Sequence, residues 1–260
     1  MTHNKKIRET SKILTDLWLN GKTIETLPDS SLPITKMEAY EIQTYIEKIS
    51  DFPLFGWKAA ATRTRGKKIT NIKSPIVGRL IGERQIVNHG SCDLKGNHMC
   101  VAEPELAFKI SRDFVPQDTP YTIEEVLNGV ESLHPAIEIP NTRLENFKKI
   151  EASNIIADNA LAHEFIIGDP YDDWRNLDLV NLSVIAGTAV LKRTGSGANV
   201  MNDPRIALTW VVNELSKYSN TLKSGQLVMT GSYIDPVPVK SGETFEANFD
   251  HLGYMSVNFF

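Results

Sequence analysis

Apolar positions follow two periodicities, and the change between them divides the chain. Over residues 5–20, Ile7, Leu14, Leu17 and Trp18 recur at helical spacing, and Gly21 follows as a stop. After a loop with Pro28 and Pro33, Thr35 and Glu38 have the form of a capping box. They open a second predicted helix whose stripe is Ala39, Ile42, Ile46 and Ile49. These helices predict a small N-terminal unit over residues 1–51, followed by a sheet-rich domain over 52–260.

From Phe52 onward the pattern shortens into strand-like runs separated by Gly, Pro and Asn: 54–61, 75–81, 99–110, 136–139, 164–167, 182–192, 227–230 and 245–249. A last run, 254–260, is expected to hairpin with 245–249 through residues 250–253. Helices are fewer here. Thr122 and Glu125 cap one. Asp203-Pro204 opens another, with Asp as N-cap, Pro at the first helical position, and a stripe of Ala207, Trp210, Val211, Leu215 and Tyr218. Strands outnumber helices without regular βαβ alternation, so an α+β fold dominated by sheet is predicted.

A chain of 260 residues suits one sizeable domain, alone or with a small appendage. The formal charge of −4, with no dominant basic tract, argues against nucleic acid as the main partner. The densest basic run, residues 63–68, reads as a solvated loop or as help in attracting an anionic substrate. Cys92 and Cys100 make neither a disulfide framework nor a zinc spacing. The first residues lead into an amphipathic segment with Glu9 and Asp16, unlike a signal peptide, and no uncharged run is long enough to span a bilayer. A cytoplasmic protein without a membrane partner is the expectation.

Carboxylates in apolar runs bring the chemistry into view. Glu103 and Glu105 flank Pro104 within the run 99–110, and alternate residues of a strand share a face. Glu138 sits in a second apolar stretch, 136–139. Unpaired buried carboxylates are costly, and a hard divalent cation with a preference for oxygen ligands relieves that cost. The plainer alternative is a solvent-facing edge strand, which Pro104 favours, although a bulge beside an active site is also compatible.

Lys58 interrupts the apolar run 54–61. It is either an ordinary surface lysine or a group that pairs with an anionic substrate and shuttles a proton. Asp158-Asn159 reads as a turn or cap, or as a polar contact at a site mouth. Gly195-Ser196-Gly197 lacks the ending of a phosphate loop and reads as a glycine-rich turn. Thr230-Gly231-Ser232 closes another strand with amides and hydroxyls able to hold a carboxylate. His134 is separated from Glu138 by Pro135, so the two form no helical metal pair, and His163 is read as structural. Neither serine nor cysteine occupies a nucleophile elbow.

Taken in order, these pieces resemble the fumarylacetoacetate hydrolase superfamily. The closer likeness is to its branch of 2-keto-4-pentenoate (2-hydroxypenta-2,4-dienoate) hydratases and 4-oxalocrotonate decarboxylases. Gly56-Trp57-Lys58 looks like the branch's Gly-x-Lys, and Glu103-Pro104-Glu105-Leu106-Ala107-Phe108 like its metal strand. Ala136-Ile137-Glu138-Ile139 looks like the strand of the third carboxylate. Ala157-Asp158-Asn159-Ala160, Gly195-Ser196-Gly197-Ala198 with Asp203-Pro204, and Thr230-Gly231-Ser232 resemble the remaining motifs.

The resemblance implies a mixed β-roll for 52–260 as the catalytic domain, Mg²⁺ or Mn²⁺, small 2-oxo or 2-enol acid substrates, homo-oligomers and a place in aromatic catabolism. It casts Glu103, Glu105 and Glu138 as metal ligands, Lys58 as catalytic, and Asp158, Asn159 and Ser232 as substrate-binding. Glu138, rather than Asp, favours the hydratase–decarboxylase branch, and the hydrolases' additional His-Glu dyad is not found.

Three departures stand out. Pro75-Ile76-Val77-Gly78 replaces a segment that carries an acidic residue in hydratases. Asn154 stands where relatives often have Asp. Tyr233 and Asp235-Pro236 follow Ser232 in place of the usual turn. The expected activity is metal-dependent addition of water to a 2-hydroxy-2,4-dienoate, giving a 4-hydroxy-2-oxo acid. The alternatives are 4-oxalocrotonate-type decarboxylation, C–C hydrolysis of an acylpyruvate, and a relative that binds small acids or serves as an assembly partner without turnover.

Overall fold

The computed structural model describes residues 2–63 and 72–260; of the basic run 63–68, Thr64 to Lys68 lie outside the described residues. Helix α1 (His3–Leu19) buries Ile7, Leu14 and Trp18 and ends at Gly21, whose φ of +57° suits a residue without a Cβ. Helix α2 (Lys36–Gln43) is capped by Thr35, whose hydroxyl accepts from Glu38 N. The reciprocal bond is displaced by one residue, because the Glu38 carboxylate accepts from Ile34 N. Past Gln43 the helix tightens into a 3-10 turn, Thr44–Lys48. That change of phase keeps Ile46 buried and leaves Ile49 exposed, so the predicted stripe stops one position early.

The strands are β1 (Leu54–Ala60), β2 (Ile76–Ile81), β3 (Gln85–Ile86), β4 (Ser91–Cys92) and β5 (Val101–Ile110). Helix α3 (Ile123–Leu127), with a complete Thr122/Glu125 capping box, precedes β6 (Val130–Ile139). Helix α4 (Ala152–Ala157), β7 (Glu164–Ile167), β8 (Ser183–Gly187) and β9 (Lys192–Ser196) follow. Helix α5 (Pro204–Lys217) starts where Asp203 accepts from Arg205 N, and β10 (Leu227–Met229), β11 (Val237–Pro238), β12 (Thr244–Asn248) and β13 (Tyr254–Phe259) complete the chain.

Two mixed sheets result. One runs β2-β1-β10-β5-β6-β7-β3 with β11 added on β5, and the other runs β4-β13-β12-β8-β9. The C-terminal hairpin of β12 and β13 forms as the sequence predicts. The run 182–192 does not stay one strand. Its first part is β8, the chain folds back where Thr188 N donates to Leu191 O, and β8 pairs with β9, which starts only at Lys192. Gly195 and Ser196 therefore lie in β9, not in a turn. Glycine is needed at 195 because a Cβ there would stand 2.0 Å from Tyr233 O.

Strand β5 is interior, flanked by β6 from Glu103 to Ile110 and by β10 and β11 on its other side, so the edge-strand alternative for Pro104 fails. Pro104 sits between the β10 and β11 pairings, and its carbonyl accepts from Tyr233 N in the intervening loop. A residue's N–H and C=O point to the same side of a strand, so the missing donor falls where the ladder is already interrupted. One apolar cluster runs from Ile7, Leu14 and Tyr40 through Trp57, Phe108 and Phe245. Gln43 ties α2 to the sheet by donating to Val77 O and to helix α4 by donating to Ile156 O. No helix among the described residues is long and apolar enough to cross a membrane.

Candidate active site

Register brings the acidic residues together. Glu103 on β5 lies directly opposite Glu138 on β6, and Glu105 lies opposite Ala136. Period-2 alternation puts all three carboxylates on one face, while Ala102, Leu106, Phe108 and Ile137 point into the large core on the other. Along the same face, Ala107, Ala136, Phe165 and Met229 form a small apolar cluster behind the carboxylates. Carboxylate oxygens of Glu103, Glu105 and Glu138 all lie within 4.8 Å of one another.

Lys58 reaches this group from β1, across the intervening β10; its register partner is Met229, which pairs in turn with Ala107. The lysine is buried, not a surface residue, and its ammonium stands 2.7 Å from Glu138 Oε1. The two form an ion pair closed from water. Lys58 also donates to the carbonyl of Ala160, 3.1 Å away. Gly231 N donates to Glu105 Oε2 at 2.8 Å. Gly231 has φ of +109°, and a Cβ there would stand 1.9 Å from the Thr62 hydroxyl, so only glycine presents this amide.

Burial sets the electrostatics. Loss of hydration, reinforced by Glu138, pushes the Glu103 carboxyl up to about 7. The same causes hold Glu105 well above the usual carboxylate range, and burial raises Glu138 against the pull of Lys58. For Lys58, burial acts downward, but the charges of Glu138 and Glu105 outweigh it and raise the ammonium's pKa. Three crowded carboxylates against one cation form a site short of positive charge. Three carboxylates whose oxygens crowd within 4.8 Å of one another, two of them almost fully buried, make an all-oxygen donor set that fits a hard divalent ion.

The cluster forms the floor of a cavity of about 480 Å³. Ser232 lines this cavity, with its hydroxyl donating to Ile234 O. Ile76, from the departing Pro75–Gly78 segment, lines it as well, so this wall is apolar where the resemblance leads one to expect an acid.

Asp158 and Asn159 do not line it; both are spent inside the protein. Asp158 accepts from Thr142 Oγ1 and Arg143 N and pairs with the Arg143 guanidinium. Asn159 clips the backbone of Arg79, accepting from its N–H at 2.7 Å and donating to its carbonyl at 2.9 Å. Between these anchors Asn159, Ala160 and Leu161 have φ of +53°, +48° and +65°. Successive left-handed residues cost roughly 1–2 kcal/mol each, so the anchors hold a strained turn whose product is the Ala160 carbonyl aimed at Lys58.

Sequence reasoning missed Arg143, the Ala160 carbonyl, and the residues of the mouth, Arg193 and Asp235. Arg143 gives no periodic signal, because its role depends on a partner 15 positions away.

No family model matches the chain. It is 26% identical over 246 residues to a 2-hydroxyhexa-2,4-dienoate hydratase of Comamonas testosteroni, covering 92% of each chain. To a 2-oxo-hept-4-ene-1,7-dioate hydratase of Escherichia coli it is 27% identical over 237 residues, covering 87% of each. The structure of 4-oxalocrotonate decarboxylase from Pseudomonas putida G7, complexed with magnesium and adipate, superposes with a TM-score of 0.90 at 22% identity, covering 100% of this chain and 99% of that one. In sequence the chain is therefore a relative of the 2-keto-4-pentenoate hydratases and 4-oxalocrotonate decarboxylase, and its fold is the fumarylacetoacetate hydrolase-like fold.

Proposed function

We propose that this protein is a divalent-metal-dependent hydratase that converts a 2-hydroxy-2,4-dienoate into a 4-hydroxy-2-oxo acid. The observation that carries the reading is the convergence of Glu103, Glu105, Glu138 and Lys58 on the floor of one cavity. The names of the relatives point to the same reaction class. Magnesium or manganese held by the three carboxylates would supply Lewis acidity toward the carboxylate and 2-oxygen of the acid.

The chain's own groups account for the rest. The Lys58 ammonium, steadied by the Ala160 carbonyl, offers a hydrogen bond and a proton at the substrate's 2-oxygen. Ketonisation moves the 2-hydroxyl proton away as another proton arrives at C5, which leaves a double bond between C3 and C4. Water oxygen then bonds to C4 and a proton reaches C3. Ile76, Ile155 and Leu161 give the carbon chain an apolar wall, and Ser232 offers a hydroxyl beside it.

Ile76 also favours a second reading. With no acid at that position to orient water, decarboxylation of a vinylogous 2-oxo diacid needs less from the site. The bond to the leaving carboxyl breaks, its electron pair passes through the conjugated chain to the 2-oxygen, and carbon dioxide departs.

Purified protein with Mg²⁺ and 2-hydroxypenta-2,4-dienoate should lose dienol absorbance and accumulate 4-hydroxy-2-oxopentanoate. Release of carbon dioxide from 2-oxohex-3-enedioate, without hydration of the dienoate, selects the second reading. Inertness toward both rejects each of them.

A further inference from the structure

Two guanidiniums meet at the mouth of the cavity. Arg63 comes from the end of β1 and Arg193 from β9 in the other sheet, and both pair with Asp235 in the loop between β10 and β11. The contacts are Arg63 Nη1 to Asp235 Oδ1 at 3.1 Å and Arg193 Nη1 to Oδ2 at 3.3 Å. All three residues line the same cavity as the carboxylate cluster. Their side chains are 18%, 32% and 17% exposed, against 3% for Lys58 and 1% for Glu138, so the mouth reaches solvent while the floor is dry around Lys58 and Glu138 and partly exposed at Glu103.

The charges of floor and mouth differ in sign. At the floor, three ionised carboxylates against one ammonium would carry two negative charges, which a divalent ion would neutralise. A 2-oxo acid bound there by its carboxylate then adds one negative charge. At the mouth, among the described residues, two guanidiniums against one carboxylate leave a net positive charge, and Lys148, which also lines the cavity, adds another. Each guanidinium presents five donors in a planar fork, so one carboxylate does not exhaust the pair. The walls between are apolar: Ile72, Ile76, Met99, Ile155 and Leu161.

We propose that Arg63 and Arg193 form a second anion subsite, which takes the far carboxylate of a substrate diacid whose 2-oxo end lies at the floor. The inference rests on the 2-oxo acid reading of the floor and adds the substrate class: a 2-oxo or 2-enol diacid in preference to a monoacid. Asp235 holds the two guanidiniums in register across the sheets and keeps the mouth from binding anions indiscriminately.

The test uses Mg²⁺-loaded protein and two saturated probes of equal length, 2-oxoadipate and 2-oxohexanoate, titrated by calorimetry. The diacid should bind at least about tenfold tighter, the equivalent of one good charged contact. Arg193→Met and Arg63→Met should each reduce that preference, and the double variant should abolish it while 2-oxohexanoate affinity stays within about twofold, which also reports that the fold and floor are intact. Equal binding of the two acids to the wild type, or a preference that survives the double variant, overturns the subsite and leaves the floor reading standing. Binding of neither acid overturns both.

Discussion

The Lys58 ammonium lies 2.7 Å from Glu138 Oε1, a buried ion pair beside the two further carboxylates of Glu103 and Glu105. Among the described residues, Lys58 is the one fully buried cation beside three carboxylates, of which Glu105 and Glu138 are almost closed to water. Mg²⁺ or Mn²⁺ should stabilise the fold by mass action, by about 2.7 kcal/mol at a free concentration 100 times the Kd. Differential scanning fluorimetry should show a Tm that climbs with metal and returns with EDTA. A Tm indifferent to both ions at millimolar concentration would remove the metal from the account.

Two substitutions separate holding the ion from using it. Loss of an outer partner of a metal ligand already costs about 10–100-fold in affinity, so Glu105→Gln should weaken Mg²⁺ binding at least that much and abolish turnover. Its Tm in EDTA should not fall, because a crowded buried charge has gone. Lys58→Met should keep or strengthen Mg²⁺ binding, since it deletes a neighbouring cation, while kcat drops about 10²–10⁴-fold. Calorimetry beside steady-state kinetics reads both. Full rates in either variant contradict the assignment.

Asn159 acts through Lys58. Asn159→Ala removes both bonds to the Arg79 backbone and releases the left-handed turn behind Ala160. Two lost hydrogen bonds predict a destabilisation of about 2–3 kcal/mol by urea unfolding. If the turn positions the lysine, kcat should fall with KM nearly unchanged at a temperature where the variant is fully folded. Unchanged kcat would reduce the turn to a structural element.

A pH effect on stability is expected at His163. Burial, with the nearby Arg84 and Arg143 charges, depresses its imidazole to about 2, and Nδ1 has no partner. The unfolded chain binds this proton below about pH 6.5 and the folded chain does not. The contribution is therefore fully present above pH 6.5 and is lost as pH falls, by up to about 1.4 kcal/mol per unit. Urea unfolding of wild type and His163→Leu between pH 7 and 5 should diverge with that slope, the wild type losing more. Parallel curves would mean that the ring takes up a proton in the fold.

Local pattern carried much of this molecule. Helical spacing from Ile7 to Trp18, the Thr122/Glu125 box and Asp203-Pro204 are short-range signals, and they appear as helix and caps where expected. Alternation around Pro104 put Glu103 and Glu105 on one face, because a strand's period is two whatever lies beside it. What local pattern does not contain is the neighbour. Register across β5 and β6 set Glu138 opposite Glu103, and the crossover that inserts β10 between β1 and β5 brought Lys58 to them. Asp158 and Asn159, polar residues in a turn, look equally suited to a substrate or to a backbone; only the nearness of Arg143 and Arg79 decided for the backbone. The mouth depends on two sheets bringing Arg63 and Arg193 to one aspartate, and their sequence separation of 130 positions leaves no periodic trace. The amino-acid order by itself determined the longer helices and most strands, the alternation of faces within a strand and the chemistry available. The tertiary structure decided which charges meet and how dry their surroundings are, because Coulomb energy and desolvation depend on distances between strands that the order of residues does not state.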